Sequence, residues 1–131
     1  MVRQYAQYMG IAIVGIGVLG LLLGEQSLLQ LVNIDIVEDI VHLLTGGVMA
    51  YVGYANRDLE VVKAVVGGVG VMYLLVGVVG FITPTLFGLL PHGYSVFDNL
   101  LHLALGVVGI AVAWLWGDQK CGLSLTGSAR E

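Results

Sequence analysis

The chain has 131 residues, of which 58% are hydrophobic and 11% charged, with a mean hydropathy of +0.96; a soluble domain carries roughly 25% charged residues, so the composition excludes a water-facing surface and implies an integral membrane protein. Nine acids against five bases give a net charge of −4 and no basic footprint for nucleic acid. A single cysteine, Cys121, excludes an internal disulfide and a multi-cysteine metal site.

A membrane helix needs about 20 apolar residues, and four stretches qualify. The first, residues 5–24, carries no charge; it is longer than a signal-peptide core and no small-residue cleavage site follows it. The second, residues 40–55, is short, with its acidic start placed in the headgroup layer. The third covers residues 64–83 and the fourth 100–116. Backbone groups in lipid must be satisfied within the segment, so these spans are expected to be helices despite their many valines and glycines. The connections at the other end, "SLLQLVNIDIV" and "TLFGLLPHGYSVF", are apolar but too short to span. They are expected to lie at the outer interface or against the mouth of the bundle. Pro84 and Pro91 mark helix ends there, and His92 reads as an exposed loop histidine.

The bases set the expected orientation. Arg3 precedes the first span, Arg57 and Lys63 lie between the second and third, and Lys120 and Arg130 follow the fourth. All five fall on one side of a four-span arrangement, which the positive-inside rule makes cytoplasmic, together with both termini. Tyr5, Tyr8, Tyr54, Trp114 and Trp116 sit at that same end, where an aromatic belt belongs.

A shift of sixty residues superimposes the chain on itself. Gly10 falls on Gly70, Gly17 on Gly77, Val18 on Val78, Gly20 on Gly80 and Leu29 on Leu89; His42 then falls on His102, Leu43 on Leu103, Gly46 on Gly106, Val48 on Val108 and Val52 on Val112. The informative core is His-Leu-x-x-Gly, preceded by an acid at Glu38 and at Asp98. Each repeat is a helical hairpin, about residues 5–55 and 64–116, within one membrane domain spanning 1–131 and ending in a cytoplasmic tail, 117–131. The fold class expected is all-α: a four-transmembrane-helix bundle of two tandem hairpins. Parallel repeats are related by a pseudo-two-fold axis along the membrane normal, so His42 and His102 should face one another at one depth, near the outer surface.

The glycines, Gly46 and Gly106 among them, read as packing positions. Gly10, Gly17 and Gly20, like Gly70, Gly77 and Gly80, fall on one side of their helices, and Gly20 with Gly24 forms a GxxxG pair. These faces are expected to pack within the monomer.

Glu38 and His42, like Asp98 and His102, are four apart and share a helix face. Three readings stay open. In the first, the acids, with Asp39 and Asn99, cap their helices and the histidines hydrogen-bond within the bundle. In the second, His42 and His102 are axial ligands of a tetrapyrrole, haem or chlorophyll; the carboxylates would orient the imidazoles, and Gly46 and Gly106 would leave space for a ring. In the third, a carboxylate beside each histidine makes an outer-face pH sensor. No serine–histidine–aspartate set, phosphate loop or mid-membrane charge points to an enzyme or an ion path.

The stretches "EDIVHLLTGG", "LFGLLPHGYSVFDN" and "NLLHLALGVVGI" resemble a bacterial family of small four-span membrane proteins catalogued as a domain of unknown function. The resemblance covers most of residues 8–116, although the first copy has "LLQLVNID" where the second has "LFGLLPHG". It implies the four-helix fold and a bacterial inner-membrane location, and brings no catalytic residues. The functional expectation is a non-catalytic accessory or structural subunit, surrounded by lipid and other membrane subunits, within a larger bioenergetic or photosynthetic complex, with no resident cofactor. A tetrapyrrole-binding protein is the alternative.

Overall fold

The structure, a computed structural model, describes residues 1–28 and 31–115. Leu29, Trp116, Lys120, Cys121, Arg130 and the tail at 117–131 lie outside the described residues. The order of elements is α1 (Val2–Leu23), β1 (Gln26–Leu28), β2 (Val32–Ile34), α2 (Ile36–Ala55), α3 (Leu59–Ile82) and α4 (Val96–Trp114). All four helices are long and apolar enough to cross a membrane. At 1.5 Å per residue, the 19 residues of α4 and the 24 of α3 make about 28 and 36 Å, against roughly 30 Å of hydrocarbon. The fold is an all-α four-helix bundle in which α1 packs along α2 and α3 along α4, with sparser contact between the two hairpins.

The repeat is sharper in the burial than in the letters. On α1 the buried residues are Val2, Ala6, Gly10, Ile13, Gly17 and Gly20, and α3 buries their counterparts Val62, Val66, Gly70, Tyr73, Gly77 and Gly80, together with Gly67. The steps of three and four residues trace one stripe of a 3.6-residue helix. On α2 the stripe is Glu38, Asp39, His42, Gly46, Met49, Val52 and Gly53; on α4 it is Asp98, Asn99, His102, Gly106, Gly109, Val112 and Ala113. Every member recurs sixty residues later, whether or not the residue type is kept.

Glycine on these stripes lets backbone touch backbone. A methyl at Gly10 would meet the Ala50 nitrogen at 2.5 Å and the Gly46 oxygen at 2.8 Å; one at Gly46 would meet the Val14 nitrogen at 2.7 Å. In the second hairpin a methyl at Gly70 would lie 2.9 Å from the Ile110 nitrogen, and one at Gly106 2.6 Å from the Leu74 nitrogen. Gly17 faces the Asp39 carbonyl and Gly77 the Asn99 carbonyl, each under 3 Å from an added methyl. The packing expected of these positions is therefore internal to each hairpin. Gly24 is a correction: it closes α1 with φ +76° and has nothing within 4 Å of an added methyl, so it ends the helix and Gly20–Gly24 is not a contact motif.

The second and fourth spans begin about a turn earlier than their apolar runs suggest, at Ile36 and Val96. Glu38, Asp39, Asp98 and Asn99 thus lie inside the first turns, buried against the rest of the bundle. The connection between α1 and α2 is an antiparallel hairpin pairing Ser27 with Asn33, which its apolar sequence does not announce. At the opposite end Arg3 donates to the Arg57 carbonyl at 2.9 Å and Lys63 pairs with Glu60 at 3.0 Å, so these three bases gather at one end of the bundle. Tyr8, Tyr54 and Trp114 are exposed around that end.

Candidate functional site

The chemistry collects at the other end, where α2 and α4 begin. Asp35 stands at the head of α2 in the place Ser95 holds before α4. Ser95 caps its own helix: its hydroxyl accepts from the Asp98 amide, and the Asp98 carboxylate accepts from the Ser95 amide at 2.9 Å, a reciprocal capping box. Asp35 does not cap. Fully buried, its carboxylate accepts from the His92 amide at 3.2 Å, His92 Nδ1 at 2.9 Å and the Gly93 amide at 3.2 Å. It therefore ties α2 to the outer loop of the other hairpin. The reverse ties come from the first loop. Asn33 donates its amide to Asp98 at 3.2 Å and its carboxamide to the Gly93 carbonyl at 2.7 Å, and Ser95 Oγ donates to the Leu31 carbonyl. Each of these two connections is stitched to the opposite repeat.

Beneath this seal the two histidines meet. The His42 and His102 ring centroids are 6.0 Å apart with planes 12° from parallel, and each residue is the seventh of its helix. His102 Nδ1 lies 2.8 Å from the Asp98 carbonyl. A carbonyl only accepts, so Nδ1 carries the proton and Nε2 of the neutral ring presents a lone pair. That Nε2 faces Glu38 Oε1 at 3.7 Å. The equivalent tie is missing in the first copy, where His42 Nδ1 is buried without a hydrogen-bond partner. Tyr73 tilts against both imidazoles, at 6.2 and 5.4 Å, and its hydroxyl shares a 2.8 Å hydrogen bond with Thr45. Tyr94 covers His102 at 4.9 Å. Burial pushes the Tyr94 hydroxyl well above the usual tyrosine range, and Glu38 and Asp98 add to the shift.

Asp39 and Asn99, the matched pair one residue on, lie against glycine. Gly20 receives the Asp39 carboxylate and Gly80 the Asn99 carboxamide, with no room for a methyl in either place. Asp39 Oδ2 and Asn99 Oδ1 are buried and unpartnered. Neither residue caps its helix, and nor does Glu38; of the four expected capping groups, only Asp98 does so. Polar side chains buried this deeply are costly unless partnered.

A tetrapyrrole does not fit the arrangement. Gly46 and Gly106 are filled by the backbones of α1 and α3 and leave no space for a ring. The cavity beside Glu38 and His42 measures about 220 Å³, below the roughly 300–1,000 Å³ of small-molecule pockets. The arrangement can do smaller things: hold a proton between Glu38 and His102, or gather around an ion.

His42 and His102 come together as the repeat requires, and Glu38 joins them. Asp98 belongs to the cap and the seal. His92, read as an exposed loop histidine, is exposed in the connection between α3 and α4, and its ring is in addition bonded to Asp35. Asp35, Asn33, Ser95, Thr45, Tyr73 and Tyr94 carry no repeated motif; only the sequence offset that aligns Asp35 with Ser95 marked a pair of helix heads. Comparison with family models, with curated proteins and with solved structures gives no match.

Proposed function

We propose that the chain is a non-catalytic accessory or structural subunit of a larger membrane assembly, such as a bioenergetic or photosynthetic complex. Its place in this reading is the bacterial cytoplasmic membrane, with both termini and the Arg57 loop in the cytoplasm. The observation that carries the proposal is the packed core between the hairpins. Ile13, Met49, Val66 and Tyr73 are buried together there, and the pocket they line measures about 10 Å³, about the least that holds one water. A close-packed core suits a rigid spacer better than a route for substrate or ions. The outer faces of the helices, with Leu19, Leu22, Tyr51, Leu75 and Leu100 exposed, are apolar and broad enough to be covered by lipid and by neighbouring subunits.

The test is purification of a tagged chain from its native membranes in mild detergent through two orthogonal columns. The accessory role expects a second membrane protein at fixed stoichiometry after both. A chain that emerges alone, or as its own oligomer, overturns it. Orientation is checked with an impermeant thiol reagent on intact cells in a Cys121→Ser background: Ser27→Cys should react and Asn56→Cys should not, and the opposite pattern reverses the topology.

A further inference from the structure

Three buried side chains converge below the outer seal: Glu38 and His42 from α2 and His102 from α4. They are 9%, 8% and 5% exposed. One ligand atom from each lies within 4.8 Å of the other two. A tetrahedral site with bonds of about 2.0–2.1 Å separates its ligands by about 3.4 Å, and His102 Nε2 is already 3.7 Å from Glu38 Oε1. Closing the triad asks no pair of ligand atoms to approach by more than about 1.4 Å.

We propose that Glu38, His42 and His102 bind one divalent transition-metal ion of the zinc class at the outer end of the bundle. The geometry of His102 is that of a ligand: its Nδ1–H is tied to the Asp98 carbonyl, which fixes the tautomer and aims the Nε2 lone pair inward. His42 supplies what a fully satisfied structural pair would lack, a buried ring nitrogen with no partner. Two imidazoles and one carboxylate select zinc or a neighbouring first-row metal over magnesium or calcium, which take oxygen ligands. The two neutral imidazoles and one carboxylate leave the bound ion with a net charge of +1, far cheaper to bury than a bare dication. The adjoining cavity shares Glu38 and His42 with the triad and is lined further by Asp39, Ile16, Leu19 and Val32. It offers a way in and room for a fourth ligand, a water. The site stands independently of the accessory role, because the ligands all come from this chain.

The experiment uses the whole chain purified in detergent, stripped with a chelator and reloaded with Zn²⁺ or Co²⁺. One zinc per chain is expected, with a Co²⁺ visible spectrum of low-symmetry nitrogen ligation. His42→Ala and His102→Ala should each weaken zinc binding by about 100-fold or more, because even outer-sphere changes cost 10–100-fold. Glu38→Gln should also weaken it, and His92→Ala should leave it unchanged. Circular dichroism separates loss of a ligand from loss of fold. Should a histidine variant not fold, pulsed EPR of the Cu²⁺-loaded wild-type chain decides by counting coordinated imidazoles: two supports the site, and none or one overturns it. The proposal also fails if folded wild-type protein takes up no stoichiometric zinc, or if the His42→Ala/His102→Ala double variant binds as well as wild type.

Discussion

Gly46 and Gly47 are neighbours on α2, yet they should respond in opposite directions to the same added methyl. At Gly46 the methyl would sit 2.7 Å from the Val14 nitrogen, 2.8 Å from the Gly10 oxygen and 3.0 Å from Ile13 Cβ. Two of these atoms are backbone, so α1 must move bodily away from α2, and overpacking of this kind costs about 1–3 kcal/mol. At Gly47 nothing lies within 4 Å. Both substitutions gain the helix preference of alanine over glycine, about 1 kcal/mol, and that gain cancels in the comparison. Gly47→Ala should therefore be neutral or stabilising, and Gly46→Ala less stable than Gly47→Ala by about 1–3 kcal/mol. The assay is reversible unfolding in mixed micelles, followed by circular dichroism as the denaturing detergent fraction rises; 1.4 kcal/mol is tenfold in the unfolding constant. The second hairpin supplies a replicate, with Gly70 crowded and Gly68 open. Equal shifts at Gly46 and Gly47 would refute the backbone-to-backbone packing of the hairpins.

Asp35→Ala orphans the His92 and Gly93 amides and the His92 ring. At about 1–3 kcal/mol for a buried donor left unsatisfied, it should destabilise the outer end and speed hydrogen exchange at those two amides; unchanged exchange would count against the seal. Ser95→Ala removes one half of the capping box and the bond to Leu31, and should lower stability by about 1 kcal/mol, read by the same micelle titration. The raised Tyr94 hydroxyl fixes a sign for alkaline pH. The folded chain holds that proton above the ordinary value of 10.0, while the unfolded chain releases it there. Its stabilisation is therefore complete below pH 10 and lost as pH climbs beyond it. A melting series from neutral to alkaline pH should show that decline, and Tyr94→Phe should flatten it.

The four spans and their duplication were legible because membrane helices declare themselves by length and hydropathy, and because a repeat at fixed offset survives wherever the packing demands glycine. His42 and His102 were legible for a different reason: an imidazole in so apolar a chain stands out, and the offset dictates where it goes. The same signal misled at Gly24, since GxxxG spacing says nothing of where a helix stops, and α1 stops there. At Gly46 and Gly106, which read both as packing positions and as room for a ring, a facing helix backbone occupies the space. The acids are legible as first-turn residues, but their burial is not. In the fold, Glu38 and Asp39 are buried by α1, α4 and the outer loops, which no single segment reveals. Asp35 was invisible because its partners are two backbone amides and a ring 57 and 58 residues away, and its repeat mate is a serine.

The central claim is that two copies of one hairpin close on each other so that His42 and His102 come face to face. The chain has three histidines, so protein labelled with ¹³C and ¹⁵N at histidine alone gives an almost empty spectrum in lipid. Magic-angle-spinning carbon–carbon correlation at long mixing should show a cross-peak between the His42 and His102 rings, 6.0 Å apart, that disappears when either is replaced. Two isolated ring signals in folded protein would contradict it.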